Sequence, residues 1–267
     1  MSSQSSTHSV MRGSRHAELI VVFAIFALFV SAGGSSAQEV RSGWEVVDSG
    51  IEGDLNTAEA LDGEMWAFGS EGVMIRSIDE GKTWSESGIS INHNLTSSDA
   101  SFGAIAVAGN SGAVLLMNEG QWFDVSHPVI NSDFKDIALT GNNSFVVISE
   151  SSIMTCIVSE GGGTDWDYVD SSLSGGDLHS ISFLDSENGL ISGENGTILA
   201  SSDGGSTWDY RDAPSEVTSS VIVDIEYHST IRAYAITDEG HILKSSREGN
   251  VPVGFVWSIV DIERENP

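Results

Sequence analysis

Two octapeptides set a hydroxyl, a carboxylate, a glycine, a second hydroxyl and an indole in one register. They are Ser77-Ile78-Asp79-Glu80-Gly81-Lys82-Thr83-Trp84 and Ser201-Ser202-Asp203-Gly204-Gly205-Ser206-Thr207-Trp208. A carboxylate flanked by two hydroxyls has the ingredients of acid–base chemistry. The same ingredients close a turn. Asp79 and Asp203 can accept bonds from backbone N–H groups of their own turn. Gly81 and Gly205 supply the left-handed backbone that closes it. The hydroxyls of Ser77, Thr83, Ser201 and Thr207 satisfy further turn groups, and Trp84 and Trp208 pack between neighbouring sheets. Local bonding accounts for the whole motif, so it assigns no catalytic residue.

Other chemistry is thin. His93, His127, His179, His228 and His241 are scattered, without the H-x-H or H-E-x-x-H spacing of a metal site. No D-x-D-x-D-G series suggests calcium, so neither metal nor cofactor is expected. Phosphate-binding loops, dinucleotide fingerprints and G-x-S-x-G are absent. The one cysteine, Cys156, lies in the apolar run Ile153 to Val158 without basic neighbours, which reads as a small core residue. The 39 acids could supply a glycosidase pair anywhere, and no pair stands out.

The elements that must position these residues repeat. Degenerate copies of the octapeptide frame end at Trp122, Trp166 and Trp257, and Trp44 precedes the first full copy. Successive repeat-ending tryptophans stand 38 to 49 residues apart, the length of a propeller blade or solenoid unit. Each period holds short β-forming runs cut by Gly, Asn, Asp and Ser, not helical patterns. In the fourth unit the runs are 178–183, 189–192, 197–201 and 207–210. Four strands with tight hairpins make a propeller blade. The chain therefore reads as all-β, a β-propeller of four-stranded antiparallel blades. Five units are traced, at about 57–87, 95–125, 134–169, 178–211 and 220–260. Trp44 to Val47 resembles a surplus fourth strand, which leaves six blades as the alternative.

The S-x-D-x-G-x-T-W frame resembles the BNR or Asp-box repeats of sialidases, sortilin-type receptors and the photosystem II stability/assembly factor family. The resemblance covers about residues 44–260. A sialidase implies an arginine cluster with a tyrosine and a glutamate; its F/Y-R-I-P motif is absent, and Arg76 and Arg211 fall on separate strands. The assembly-factor resemblance implies a non-enzymatic, exported scaffold for a membrane complex. That family is seven-bladed and carries a basic patch, whereas this chain is short for seven blades and basic nowhere.

The formal net charge is −28, with only three lysines, Lys82, Lys135 and Lys244. Such a surface repels nucleic acid and anionic lipid. It leaves cationic peptides, basic protein patches or metal cations as partners. Leu19 to Val30 is an unbroken apolar run, shorter than the ~20 residues of a comfortable bilayer span. With Ser35-Ser36-Ala37 after it, the run reads as a signal peptide over 1–37, cleaved after Ala37, an uncleaved anchor being the alternative. Residues 38–267 would then be an exported propeller at the cell envelope or beyond. Asn94, Asn142 and Asn195 head N-glycosylation patterns.

A binding face is expected on the loops that link one blade's fourth strand to the next blade's first, because they gather at one end of a propeller. These are 48–56, 86–98, 126–133, 171–176 and 212–219. The second offers Ile89, Ile91, His93 and Leu95; the third offers His127, Val129 and Ile130. The expected function is a monomeric extracytoplasmic binding or assembly scaffold with a protein partner. A glycan-binding or sialidase-like glycoside hydrolase is the alternative. The scaffold predicts no polar convergence at the axis; the enzyme predicts carboxylates converging there with an arginine or tyrosine.

Overall fold

The computed structural model describes residues 46–89, 91–169, 176–247 and 255–260. The readings placed on 1–45 and 171–175, including the signal peptide and Trp44, lie outside them.

Five antiparallel sheets of four strands follow one another along the chain, each in simple up-and-down order. Blade 1 holds β1 (Leu55–Leu61), β2 (Glu64–Gly69), β3 (Met74–Ser77) and β4 (Ser85–Glu86). Blade 2 holds β5 (Leu95–Ser101), β6 (Ala104–Gly109), β7 (Val114–Asn118) and β8 (Gln121–Asp124). Blade 3 holds β9 (Phe134–Gly141), β10 (Ser144–Ser149), β11 (Ile153–Val158) and β12 (Thr164–Val169). Blade 4 holds β13 (Leu178–Phe183), β14 (Gly189–Gly193), β15 (Ile198–Ser201) and β16 (Asp209–Tyr210). Blade 5 holds β17 (Ile222–Ser229), β18 (Arg232–Thr237), β19 (Ile242–Arg247) and β20 (Phe255–Ile259). This is the all-β, roughly five-bladed architecture expected from the repeat. In blade 4 β14 runs one residue longer than expected, β15 opens at Ile198 rather than Thr197, and Thr207 and Trp208 precede β16 rather than open it, because Thr207 is tied to the turn by Asp203.

Each inner strand carries a bulge next to its first residue, at Leu55/Thr57, Leu95/Ser97, Phe134/Asp136, Leu178/Ser180 and Ile222/Asp224. The bulge lets the chain entering the blade cross tightly over the end of the second strand. At Gly69 and Gly109 an added Cβ would stand 2.0 Å from the carbonyl oxygens of Asp54 and Asn94. Only glycine admits so close a backbone. The next residues, Ser70 and Asn110, donate their N–H to those same oxygens at 2.9 Å.

The central strands are buried on both faces, and their side chains build four inter-blade cores. Blades 1 and 2 share Trp66, Phe68, Ile105 and Leu115. Blades 2 and 3 share Leu116, Phe145, Met154 and Cys156. Blades 3 and 4 share Ile148, Ile181, Leu199 and Trp208. Blades 4 and 5 share Leu190, Ile225, Leu243 and Trp257. Among the described residues none of these four cores joins blade 5 to blade 1. The repeat tryptophan of each later blade packs against the blade before it, as Trp122, Trp166, Trp208 and Trp257 all do. Trp84 belongs to the first blade and stays half-buried, while Trp208 is 4% exposed.

Candidate functional site

The two full octapeptides form superimposable turns. Ser77 Oγ donates to Asp79 Oδ1 at 2.8 Å and accepts from Gly81 N at 2.9 Å. Asp79 accepts from Thr83 N at 2.9 Å and from Thr83 Oγ1 at 2.6 Å. Trp84 Nε1 donates to Gly81 O at 3.1 Å. Ser201, Asp203, Gly205, Thr207 and Trp208 repeat every one of these bonds. The hydroxyl and backbone donors of Thr83 hold the Asp79 carboxyl down at about 2. An acid so committed keeps its charge, and both of its oxygens are already engaged by donors of its own turn. In the degenerate repeats the indole loses its carbonyl partner: Trp122, Trp166 and Trp257 bury an Nε1–H without an acceptor.

The connector residues divide between packing and exposure. Ile89 and Ile91 pack on the core of blades 1 and 2, and Ile130 on that of blades 2 and 3. Leu95 is fully buried as the first residue of β5, so the second connector ends before it. His127 Nδ1 accepts from Ile130 N at 2.9 Å, and its ring stands edge-on to Trp166. His93 is exposed, and Val129 is 83% exposed. Asn94, Asn142 and Asn195 are all exposed. Asn94 Oδ1 accepts from Glu71 N at 2.9 Å, pinning its connector to the β2–β3 turn.

The axis holds a group the sequence reading did not single out. Glu59, Asp99, Asp136, Asp224 and Glu226 all lie on inner strands, at the third or fifth position of each. In blade 4 the same positions carry Ser180 and Ser182. Aligning the five inner strands on their first residues is the signal that would have found them. Their oxygens stitch blade to blade. Glu59 accepts from Ser98 Oγ at 2.8 Å, linking blades 1 and 2. Asp99 accepts from Leu139 N at 2.7 Å, linking blades 2 and 3. Asp136 accepts from Ser97 Oγ on one side and from Ile181 N at 2.8 Å on the other, spanning blades 2 to 4. Asp224 accepts from Ser180 Oγ at 3.0 Å, and Ser182 Oγ accepts from Tyr227 N at 3.2 Å, linking blades 4 and 5.

Crowding sets their protonation. Burial pushes Asp136 up to about 6, against its hydrogen bonds. Burial and then the charges of Asp99 and Asp136 push Glu59 to about 7. Glu226 rises to about 7, first through enclosure by the surrounding strands and then through Asp224, Asp99 and Asp136. Its surface is open to water, so it stands in a wet well rather than in dry packing. Among the described residues no arginine or tyrosine bonds to these acids. Tyr227 turns away onto Phe255 and the core of blades 4 and 5, and burial raises its phenol. Polar convergence at the axis is thus present, contrary to the scaffold expectation, but without the partners the enzyme expectation requires. Among the described residues no set of His, Cys, Asp or Glu is spaced to hold a metal ion. Cys156 is buried among apolar side chains, which pushes its thiol up to about 12.

Comparison with known proteins follows the same line. Residues 164–246 match the family model of the photosynthesis system II assembly factor YCF48. No curated protein matches the chain. Among solved structures, YCF48 from Cyanidioschyzon merolae is similar at a TM-score of 0.57 and 16% identity, over 79% of this chain and 75% of that one. YCF48 bound to D1 peptide gives 0.58 and 16%, over 78% and 69%. A catalytically inactive virginiamycin B lyase from Staphylococcus aureus, with quinupristin, gives 0.61 and 12%, over 78% and 70%. The chain is a BNR-type β-propeller that resembles the photosystem II assembly factor.

Proposed function

We propose that this propeller is a non-enzymatic scaffold that binds a protein partner on the far side of the cytoplasmic membrane. The observation that carries this reading is the use made of its carboxylates. Asp79 and Asp203 are consumed within turns, and Glu59, Asp99, Asp136 and Asp224 are consumed between blades. Residues spent on holding the fold are poor candidates for turnover. Similarity to a propeller solved with a peptide bound supports the choice of a protein partner. The assembly-factor resemblance implies a basic patch for the client. Here the charge is reversed, so the partner is expected to be basic.

The connector end is the proposed face, with Val129 and His93 as its exposed members. Residues 1–37 are proposed to direct export, with Ala37 as the last residue removed. The test is affinity capture of the tagged protein against the envelope fraction of its source, at the salt of its natural medium. One stoichiometric protein, lost when the exposed His93 and Val129 are both replaced by serine, is the expected result. Amino-terminal sequencing of the secreted form should begin at Gln38.

One observation favours a second reading. Glu59 and Glu226 are both held near 7, where a carboxyl can give or take a proton. A glycan-active propeller would use them, and its hydrolysis would vanish in Glu59→Gln and Glu226→Gln. The scaffold has no such activity to lose.

A further inference from the structure

The connectors and the axis leave the opposite end of the molecule unassigned. There the β7–β8, β9–β10 and β11–β12 turns enclose a groove of about 410 Å³ between blades 2 and 3. Its floor is Leu116, Phe123 and Val158. Leu116 and Val158 are buried, and Phe123 is half-buried. Its rim carries Glu119 and Glu160, both exposed. Asn143 braces the floor by donating Nδ2 to Val158 O at 2.9 Å, while Val158 N donates to Asn143 O at 2.8 Å.

The groove has a cause in the sequence. Ser159 precedes Trp166 by the same interval that separates Ser201 from Trp208. In blade 4 the full motif holds Trp208 beside the strand end and presses Gly205 so close to Val146 that an added Cβ would stand 2.6 Å from it. In blade 3 the motif's aspartate is replaced by Gly161, and the hairpin closes early, with Thr164 already opposite Val158. Trp166 therefore sits opposite Cys156, and its ring packs on Phe134 and Phe145. The ring that would have filled the turn end has moved up the blade. Nothing lies within 4 Å of a Cβ added at Gly161.

We propose that this groove receives a lysine or arginine side chain from a basic peptide segment of a protein partner. The apolar floor suits the methylene stem of such a residue, and the rim carboxylates meet its charged end. Neither Glu119 nor Glu160 joins any ion pair among the described residues, so both are free to take a cation. The chain's net charge of −28 draws basic segments toward it. The proposal rests on the protein-binding reading but not on the connector face, which lies at the other end of the blades.

The test is a methyl NMR titration of the folded protein, labelled at Leu and Val methyls. The probe is a blocked tetrapeptide, Ala-Lys-Leu-Arg, at low salt. Saturable shifts at Leu116 and Val158 are expected, and they should weaken several-fold in the Glu119→Gln/Glu160→Gln double variant. These rim substitutions lie on exposed turns, and unchanged core methyls would certify the variant's fold. A blocked Ala-Glu-Leu-Glu peptide should leave both methyls unmoved. Equal shifts with the acidic peptide, shifts with sialyllactose instead of the basic peptide, or no shift at either methyl would each overturn the assignment. Failure of this titration alongside successful capture at the connectors would remove the groove and leave the scaffold standing.

Discussion

Replacing Asp136 with asparagine should flatten the pH dependence of stability. Asp136 stands where three inner strands meet, bonded to Ser97, Ile181 N and Ile137 N, and its folded-state value is raised from 3.8 to about 6. A carboxyl with a raised value is easier to keep protonated in the folded chain than in the unfolded one. Its contribution is fully present below the unfolded value and is lost as pH rises through 4 to 6 and beyond. The gap corresponds to about 3 kcal/mol, or nearer 2 kcal/mol once partial access of water is allowed for. The amide of the Asp136→Asn variant keeps one oxygen for the Ile181 N–H and carries no charge to repel Glu59 and Glu226. Urea titrations from pH 4 to 8 should therefore show the wild type losing stability with rising pH and Asp136→Asn losing about 2 kcal/mol less over the same span. Asp136→Ala should instead be destabilised at every pH by about 1–3 kcal/mol, because a buried N–H is left unpaired. An unchanged pH slope in Asp136→Asn would refute the inter-blade account of this residue.

The remaining predictions concern packing and reactivity. Trp208→Ala should cost about 3–5 kcal/mol in denaturant melts, while Trp84→Ala, whose ring has no preceding blade core, should cost clearly less. Gly109→Ala should cost about 2–3 kcal/mol, since its Cβ would enter the carbonyl of Asn94. Cys156 should resist maleimide at pH 8 in the native protein and react at once in denaturant, because burial keeps its thiol protonated.

The repeat made the fold legible. The full octapeptides mark their turns by residue type, and the tryptophan period marks the blades even where the motif decays at Trp122, Trp166 and Trp257. Local chemistry fixes both. The axis was harder to read because its acids sit in strands such as Leu95–Ser101, whose serines and aspartate look like loop composition. They become visible only when each inner strand is placed beside its neighbour in the next blade, a relation roughly 40 residues away in sequence. The connectors divide in a way their sequence does not mark: Ile89 and Ile91 lie half-buried against the core of blades 1 and 2, and Leu95 is buried at the start of β5, while Val129 and His93 stand outside. The groove between blades 2 and 3 depended on a register difference in one hairpin, since Ser159 and Trp166 preserve the spacing of the intact motif.

The measurement that bears most directly on the scaffold assignment is affinity capture with the intact protein and with the His93→Ser/Val129→Ser variant, run beside a glycosidase-substrate screen. One basic protein captured in stoichiometric amount by the intact chain, lost in the variant, with no glycan turned over, is the predicted result. No protein captured at any salt, together with glycan hydrolysis that disappears in Glu59→Gln or Glu226→Gln, would contradict it.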